Sequence, residues 1–371
     1  MAMNICIESS LLNHHRRSGL MTYTEGLVYG LFENDGLNDY TLAYYSSRRD
    51  AQHMPGPSGE NFHKEVLRVP DREFWKRQLF IDNIVLPRFL KSKKVQVFHR
   101  PSGYTMPSVK NVFKVLTIHD LRTLTIGDRF MAQNITHYKK VIKSLDMCVV
   151  VSECTKQDLI KHFDMDQHKI KVIYLGADKR FRPLDKKTVE DVKAKYNIRE
   201  PFLLSIGSVP RKNIEGIIRG FAASLAQQKF ILVLSCNMDI DKYQQITRDL
   251  GIEKRVQILS SLNDEDVVAL YNGCRCFVFP SLYEGFGLPI LEAMQCGVPV
   301  ITSNVSACPE VAGDSAILVD PNNVGQIASA MDQVCSDDTL RKQLIEKGQQ
   351  RAKHFGWDKF AQEMKAIYAM A

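Results

Sequence analysis

Several kinds of segment are missing from this sequence of 371 residues. No apolar run approaches the roughly 18 to 20 residues that a membrane-spanning helix requires. No glycine-rich segment has the Gly-x4-Gly-Lys-Ser/Thr spacing of a P-loop, and the first residues enter a strand pattern without the features of a signal peptide. We therefore expect a cytoplasmic protein, soluble or peripheral on the inner face of the membrane, that does not use P-loop chemistry.

The cysteines provide no evidence for a metal site or for disulfides. There are nine of them, an odd number, and they are scattered along the chain. Cys274 and Cys276 form a lone close pair, whereas a structural zinc site needs four ligands. We interpret the pair as small residues entering a strand, and cysteines in this pattern are typical of a reducing cytosol.

A chain of this length exceeds one typical core, so two domains are expected. Its formal net charge is +7, which permits phosphate ligands, nucleic acid or an anionic membrane surface without selecting among them. The cations concentrate in the first half, where the segment 72–94 mixes basic and apolar residues around Pro87. We favour an amphipathic crossover helix that Pro87 kinks, and a helix lying on an anionic membrane is the alternative.

Short β-branched runs alternate with helical patterns along almost the whole chain, which predicts parallel sheets with crossover helices. The pattern pauses across the polar segment 176–200 and then resumes. We therefore predict two doubly wound, Rossmann-like α/β domains at residues 1–180 and 181–355, with a C-terminal helix at 356–371 that packs back on the first domain. The predicted strands are 4–7, 41–45, 66–69, 95–98, 112–118, 147–151, 170–173, 201–206, 230–234, 256–259, 276–279, 298–302 and 316–319.

The segment 281–297 carries the strongest functional signal. It follows a predicted buried strand, and Gly285 and Gly287 lead into a helix that starts near a proline. Glu284 in the turn and Glu292, expected in the first helical turn, are placed to face one ligand. Carboxylates accept hydrogen bonds from the hydroxyl pairs of a sugar or ribose, and a helix start binds phosphate. The alternative is a solvated glutamate in an ordinary strand-to-helix turn.

A second loop with charged residues follows the predicted strand 201–206. Gly207 begins the turn, Arg211 and Lys212 follow, and Asn213 is predicted as the N-cap of the next helix. Two cations at a glycine turn and a helix start suit a diphosphate, with Arg211 as a bidentate donor and Lys212 as a point charge. Cations of a solvated turn are the alternative.

In the first half, candidate residues follow two predicted strands. The strand 112–118 runs into His119 and Asp120, a pair suited to acid–base chemistry or to hydrogen bonds with sugar hydroxyls. A capping role is the alternative for this pair. The loop after the first strand precedes a helix, and its glycine would let backbone amides approach a phosphate. The candidates in this loop are His14, His15, Arg16, Arg17 and Gly19.

With these residues in view, the chain resembles retaining, nucleotide-sugar-dependent glycosyltransferases of the GT-B fold, in glycosyltransferase family four. The match is strong across 201–321, where the segment 207–213 resembles the phosphate loop and Glu284 to Glu292 matches the family's Glu-x7-Glu motif. It is moderate across 95–182 and weak before that, apart from the loop at Gly19. The resemblance implies two Rossmann-like domains that face a central interdomain cleft.

The resemblance also implies a role for each candidate residue. Glu284 and His119 would contact the donor sugar, and Glu292 would bind the ribose. Arg211 and Lys212 would neutralise charge on the leaving diphosphate, so that neither a metal ion nor another cofactor is needed. Sugar and phosphate oxygens would be held by the turn amides of Gly285, Phe286, Gly287 and Leu288.

One position departs from the family pattern. Many members have arginine directly after the loop glycine, where this chain has Ser208, so it stays open whether Arg211 substitutes for that arginine. The run 281–321 looks most like bacterial mannosyltransferases that build O-antigen and related surface polysaccharides. That likeness implies a GDP-mannose donor. A lipid-linked saccharide acceptor would fit the basic first half of the chain. We expect acceptor choice in the first domain, around residues 13–17 and 50–62, with residues 14–17 and Asp120 as the acceptor-side candidates.

Other functions are compatible with parts of the pattern. A UDP-sugar donor is the first alternative. A sugar-nucleotide epimerase on the same two-domain scaffold would need acid–base residues and no acceptor, and a non-catalytic sugar-nucleotide-binding scaffold would need neither Lys212 nor both glutamates. Nucleic-acid binding has only the net charge in its favour, and we expect no nucleic-acid partner.

Overall fold

The computed structural model describes residues 2–13, 18–46, 54–70, 74–121 and 129–371 of the chain. The chain forms two compact units. Met1–Gly176 and Gly356–Ala371 make up the first unit, and Ala177–Phe355 make up the second. Each unit contains a parallel sheet with helical crossovers, which is the doubly wound α/β architecture that the alternating pattern predicts.

The sheet of the first unit has seven strands within the described residues. They are β1 (Asn4–Glu8), β2 (Asp39–Ser46), β3 (Phe62–Arg68), β4 (Val97–Arg100), β5 (Phe113–Ile118), β6 (Met147–Val150) and β7 (Ile170–Val172). Their order is β3-β2-β1-β4-β5-β6-β7, and all neighbouring pairs are parallel. The order reverses between β1 and β4, so the loops after these strands diverge there and open a crevice.

The helices between these strands include a segment in which the helical geometry changes. They are α1 (Gly19–Asn34), α2 (Phe74–Phe80), α3 (Leu86–Ser92), α4 (Arg129–Lys143) and α5 (Glu153–Phe163). A π-helical turn, Ile81–Val85, joins α2 to α3. Pro87 follows it at the start of α3. Because proline has no backbone N–H, it cannot donate the hydrogen bond to the carbonyl four residues before it that a regular α-helix would have. The predicted kink at Pro87 is therefore a π turn on its N-terminal side.

The second unit repeats the arrangement with a six-stranded sheet. Its strands are β8 (Phe202–Ile206), β9 (Ile231–Ser235), β10 (Val256–Leu259), β11 (Phe277–Phe279), β12 (Val300–Ser303) and β13 (Ala316–Val319). Their order is β10-β9-β8-β11-β12-β13, again all parallel. Every residue of β11 and β12 is buried, as expected for strands with helices on both faces. The order reverses between β8 and β11.

In the second unit one α-helix precedes β8, one follows each of the strands β8 to β12, and two follow β13. These helices are α6 (Lys186–Lys195), α7 (Ile214–Ala223), α8 (Ile240–Asp249), α9 (Asp264–Gly273), α10 (Leu288–Gln295), α11 (Cys308–Ala312), α12 (Val324–Ser336) and α13 (Asp338–Ala352). No helix within the described part of the chain is long and apolar enough to span a bilayer.

The last helix, α14 (Trp357–Tyr368), is part of the first unit and packs against α1. Phe360, Met364 and Ile367 are buried on one face, at the spacing that predicts an amphipathic helix. Lys365 Nζ donates to the carbonyl oxygen of Asn34 at 2.9 Å, which links α14 to the end of α1.

Candidate functional site

Two loops of the second unit meet where its strand order reverses. β8 and β11 are neighbours in the sheet, so the loops after them leave the same edge. The backbone N–H of Leu282 donates to the carbonyl oxygen of Arg211 at 2.8 Å, and Ser281 Oγ donates to the same oxygen at 3.2 Å. These bonds join the loops 207–213 and 280–287 into one site.

Glu284 lies at the centre of this site and is only 5% exposed. Its Oε2 accepts a hydrogen bond from Arg211 Nη1 at 2.5 Å, and its Oε1 accepts one from Lys212 Nζ at 2.8 Å. Ser281 Oγ also donates to Oε1. With one carboxylate and two cations, the cluster of Glu284, Arg211 and Lys212 has a net positive charge, which suits an anionic ligand.

Burial and the neighbouring charges have opposite effects on the pKa values of Glu284 and Lys212. Burial alone would raise the pKa of Glu284, but Lys212 and Arg211 outweigh it and hold that pKa below its ordinary value. Burial lowers the pKa of Lys212 and Arg211 lowers it further, while Glu284 opposes both effects. The Lys212 ammonium also lies 4.3 Å from the centroid of the Phe279 ring, a cation–π distance. Glu284 is therefore an ionised, hydrogen-bonded acceptor at neutral pH.

Gly207 and Ser208 serve the loop in different ways. A Cβ at Gly207 would lie 2.5 Å from Lys212 Cγ, so only glycine lets the lysine stem pass this point. Ser208 Oγ accepts a hydrogen bond from the backbone N–H of Asn237 at 2.8 Å, in the loop after β9. Ser208 thus holds the neighbouring loop, and Arg211 is the arginine that contacts Glu284.

Asn213 is the N-cap of α7, as predicted, but its side chain makes no capping bond. Its backbone is left-handed, with φ at 58°. Its Nδ2 donates to the carbonyl oxygen of Pro280 at 3.1 Å and to that of Pro321 at 2.7 Å. One amide therefore ties the 207–213 loop to the loops after β11 and β13.

Replacing Asn213 by aspartate is expected to lower the free energy of unfolding by about 2–3 kcal/mol. Two hydrogen bonds of roughly 1 kcal/mol each are lost, and a carboxylate then faces two carbonyl oxygens. Aspartate tolerates the left-handed backbone, so the effect isolates the amide. Urea denaturation measures the change, with the exposed Asn322→Asp as a control that should shift stability by less than about 0.5 kcal/mol. Equal stability of the two variants would contradict the role of the amide.

The start of α10 presents backbone rather than side chains. Gly287 is the N-cap with φ at +106°, a left-handed conformation that favours glycine, and the helix begins at Leu288 without a side-chain cap. The Phe286 ring is buried edge-on against Phe355, with 5.9 Å between centroids. Of the predicted turn residues 285–288, Phe286 therefore faces the protein interior with its ring. The helix start adds a positive dipole end to this edge of the sheet.

Glu292 lies further along the helix than predicted. We expected it in the first turn, but it is the fifth residue of α10, in the second turn. Tyr271 donates a hydrogen bond to Glu292 Oε2 at 3.1 Å. Burial and the Glu292 charge raise the pKa of Tyr271 well above its ordinary value. Within the described residues, the two glutamates thus bond different side chains: Glu284 bonds the Arg211–Lys212 pair, and Glu292 accepts from Tyr271.

In the first unit, His119 directly follows β5. Its Nε2 lies 2.8 Å from the carbonyl oxygen of Pro101, and a carbonyl can only accept, so this nitrogen carries the hydrogen. Burial lowers the pKa of His119, while the bond to Pro101 and the charge of Asp120 oppose that effect. At neutral pH the imidazole is neutral, and its Nδ1 is then an acceptor.

The candidates of the loop after β1 precede or begin α1 in the sequence. Gly19 is the first residue of α1, after the N-cap Ser18. A Cβ built at Gly19 would meet no heavy atom of the described residues within 4 Å, so the glycine is not explained by crowding there. His14, His15, Arg16 and Arg17 lie outside the described residues.

Two serines of the site were not identified from the sequence. Ser281 bonds the Glu284 carboxylate, and Ser306 Oγ accepts the backbone N–H of Glu284 at 2.9 Å. No motif singles out either residue. Their position follows from the order of β8, β11 and β12 in the sheet, which brings three loops together.

Two family models match the chain. The one described as Glycosyltransferase Family 4 matches residues 39–181, and the one described as Glycosyl transferases group 1 matches residues 187–351. O-antigen chain mannosyltransferase B of Escherichia coli is 32% identical over 279 residues, which is 72% of this chain and 73% of that protein. Serotype-specific mannosyltransferase WbdA of E. coli is 30% identical over 356 residues, 89% of this chain. The chain spans only 43% of the length of WbdA.

Solved structures with the same fold cover the whole chain. WaaG, a glycosyltransferase involved in lipopolysaccharide biosynthesis, superposes with a TM-score of 0.74 at 15% identity, over 99% of both chains. Anabaena Alr3699/HepE in complex with UDP-glucose gives a TM-score of 0.78 at 16% identity, over 100% of both chains. Likeness at these identities shows a shared fold.

Proposed function

The chain belongs to glycosyltransferase family four and is a glycosyltransferase of the GT-B fold, and from this premise we propose that it transfers mannose from GDP-mannose to a saccharide acceptor. The observation that carries the proposal is Glu284 held between Arg211 and Lys212 at the carboxyl edge of a doubly wound sheet. A sugar diphosphate presents hydroxyl donors and a dianionic group, and this cluster offers partners for both. The mannosyl assignment is supported by the names of the relatives, since O-antigen chain mannosyltransferase B and WbdA both act as mannosyltransferases by name.

The proposed reaction proceeds with retention of anomeric configuration and without a metal ion. Negative charge grows on the leaving diphosphate as its bond to the sugar breaks. We assign the stabilisation of that charge to Arg211 and Lys212, the two cations paired with Glu284. The acceptor hydroxyl oxygen bonds to the anomeric carbon from the face that the diphosphate leaves, and the leaving phosphate takes the hydroxyl proton. The start of α10 adds backbone N–H groups for phosphate oxygens.

The remaining residues are assigned to holding the donor. Glu284 accepts hydrogen bonds from sugar hydroxyls, and Glu292 accepts them from the ribose. In the first unit, the neutral His119 contacts the reacting sugar, with Nε2 fixed by Pro101 and Nδ1 as an acceptor for a hydroxyl. We place acceptor recognition in the first unit, at residues 14–17 and Asp120.

Thermal unfolding with a panel of GDP-, UDP- and ADP-sugars tests the donor assignment. GDP-mannose is expected to raise the melting temperature most, since a ligand at 100 times its Kd stabilises the folded state by about 2.7 kcal/mol. Stabilisation by UDP-sugars and not by GDP-mannose would overturn the donor assignment.

Incubation with donor alone tests the reaction class, because an epimerase changes the sugar without an acceptor, whereas a transferase gives at most slow hydrolysis.

We further propose a lipid-linked acceptor in O-antigen or related surface-polysaccharide synthesis, with the protein peripheral on the cytoplasmic face of the membrane. The support is the α2–α3 segment, where Leu79 and Ile84 are 51% and 37% exposed and Arg88 and Lys91 are exposed after them. Vesicle flotation tests the assignment: binding to anionic vesicles should fall in Leu79→Glu. The matched control is Leu225→Glu, at a residue of the second unit that is 69% exposed. Equal binding of the two variants would contradict this surface.

A further inference from the structure

A chain of buried polar side chains crosses one face of the first unit's sheet. Tyr368 Oη lies 2.6 Å from His99 Nδ1, and His99 Nε2 lies 2.8 Å from Thr117 Oγ1. Thr117 Oγ1 in turn lies 2.7 Å from Tyr23 Oη. All four side chains are excluded from water, so each hydroxyl and ring nitrogen depends on its neighbour in the chain.

This hydrogen-bond chain joins four separate secondary-structure elements. Tyr368 is the last residue of α14, His99 lies on β4, Thr117 on β5 and Tyr23 on α1. Burial lowers the pKa of His99 to about 3, and His119 adds to the effect. His99 is therefore neutral, and a neutral imidazole donates one hydrogen bond and accepts another, which matches its two hydroxyl neighbours. Removing one hydroxyl leaves a buried partner unsatisfied and loosens the rest of the chain.

The hydrogen-bond chain ends at Tyr23, whose ring packs against the ring of His119. The Tyr23 ring meets the His119 ring edge-on, with 4.5 Å between centroids and an interplanar angle of 89°. The Tyr23 ring also packs edge-on against Phe360 of α14, with 5.4 Å between ring centroids and an interplanar angle of 88°. Thr117 lies on β5 and His119 directly follows that strand, and both contact Tyr23. Tyr23 is thus fixed at its hydroxyl by Thr117 and packs with its ring against His119.

We propose that Tyr23, held through Thr117 and His99 by Tyr368, is a positioning residue for His119, and that α14 acts on sugar transfer through this chain. The inference rests on the proposed role of His119 in transfer. The bond from His119 to Pro101 fixes one ring nitrogen, and the Tyr23 ring packs edge-on against the imidazole. The two contacts together hold the ring in one orientation, which sets the direction of Nδ1.

The test removes one hydroxyl at either end of the chain. Tyr23→Phe and Tyr368→Phe are each expected to lower kcat about 10-fold with little change in the KM for the donor, because the imidazole is misdirected and not lost. The double variant should be no slower than the slower single variant, since both changes break one chain. The imidazole ¹⁵N signals of His119 should shift in both variants.

Two controls make the result decisive. Tyr40→Phe removes a buried hydroxyl of the same unit that donates to Asp35 Oδ2 at 2.7 Å, outside the chain; it should lower the melting temperature and leave kcat unchanged. His119→Ala tests the premise, because unchanged transfer in that variant would overturn the role of His119 itself. If His119→Ala is inactive but Tyr23→Phe and Tyr368→Phe keep normal kcat and unshifted His119 signals, the positioning role alone is refuted.

Discussion

Replacing Lys212 by methionine is expected to lower kcat for sugar transfer by about 10²–10³-fold, the effect of removing one preorganised donor from a developing negative charge. Methionine keeps the unbranched stem that packs beside Gly207. Glu284 keeps Arg211 as its partner at 2.5 Å, so the fold should be retained. The KM for the donor should change less than kcat, because the diphosphate gains charge only as the bond breaks.

Steady-state kinetics with donor and acceptor measure this effect, and thermal unfolding verifies the fold. The matched control is Lys195→Met, which removes a cation of the same unit that bonds Asp266 Oδ2 at 2.6 Å. That control should turn over normally. Normal turnover in Lys212→Met as well would remove Lys212 from the reaction, and equal losses in both variants would indicate a general charge effect.

Much of the fold follows from hydrophobic patterning. Each predicted strand is present, and the patterns fail mainly at strand ends. The prediction for β4 covered 95–98, whereas the strand is Val97–Arg100. His99 and Arg100 look like loop residues in the sequence, but hydrogen bonds to Thr117 and Asp82 let them be buried. Strand β3 begins four residues before its predicted start. Its first residues are one buried, one exposed and three half-buried positions at the sheet edge, so they do not form a continuous apolar run.

The candidate site was predictable in its residue types but not in its pairings. Arg211, Lys212 and Glu284 were identified separately, from turn chemistry and charge. Their direct contact depends on the adjacency of β8 and β11, which are separated by about 70 positions in the chain. Local patterns carry no information on which strands are neighbours. The same reason explains why the Asn213 side chain bonds two distant loops and why Glu292 meets Tyr271.

Replacing Glu284 is expected to reduce both transfer and stability. Glu284→Gln removes the charge between Arg211 and Lys212, whose side chains are 21% and 12% exposed. Two neighbouring cations then lack their anion, and loss of one partner from a buried pair costs about 3 kcal/mol or more. We expect transfer to fall by at least about 10²-fold, because the sugar hydroxyls lose an ionised acceptor.

The stability loss should depend on pH in a defined direction. The folded-state pKa of Glu284 is lowered from 4.5, so its carboxylate contributes stability that is fully present above that value. The contribution disappears as pH falls through the lower folded-state pKa. Urea denaturation should therefore show the largest gap between wild type and Glu284→Gln at neutral pH, and a narrowing gap below pH 4.5. A gap independent of pH would show that the charge of Glu284 is not what stabilises the loop.

The double variant Lys212→Met/Glu284→Gln separates the structural role of the charges from their role in the reaction. It removes one cation together with the carboxylate, so Arg211 alone remains charged. Stability is expected to recover relative to Glu284→Gln, because the repulsion between two unpaired cations is gone. Transfer should stay at least as low as in Lys212→Met, since the cation that faces the leaving diphosphate is still missing. Recovery of both properties would mean that the three charges only hold the two loops together.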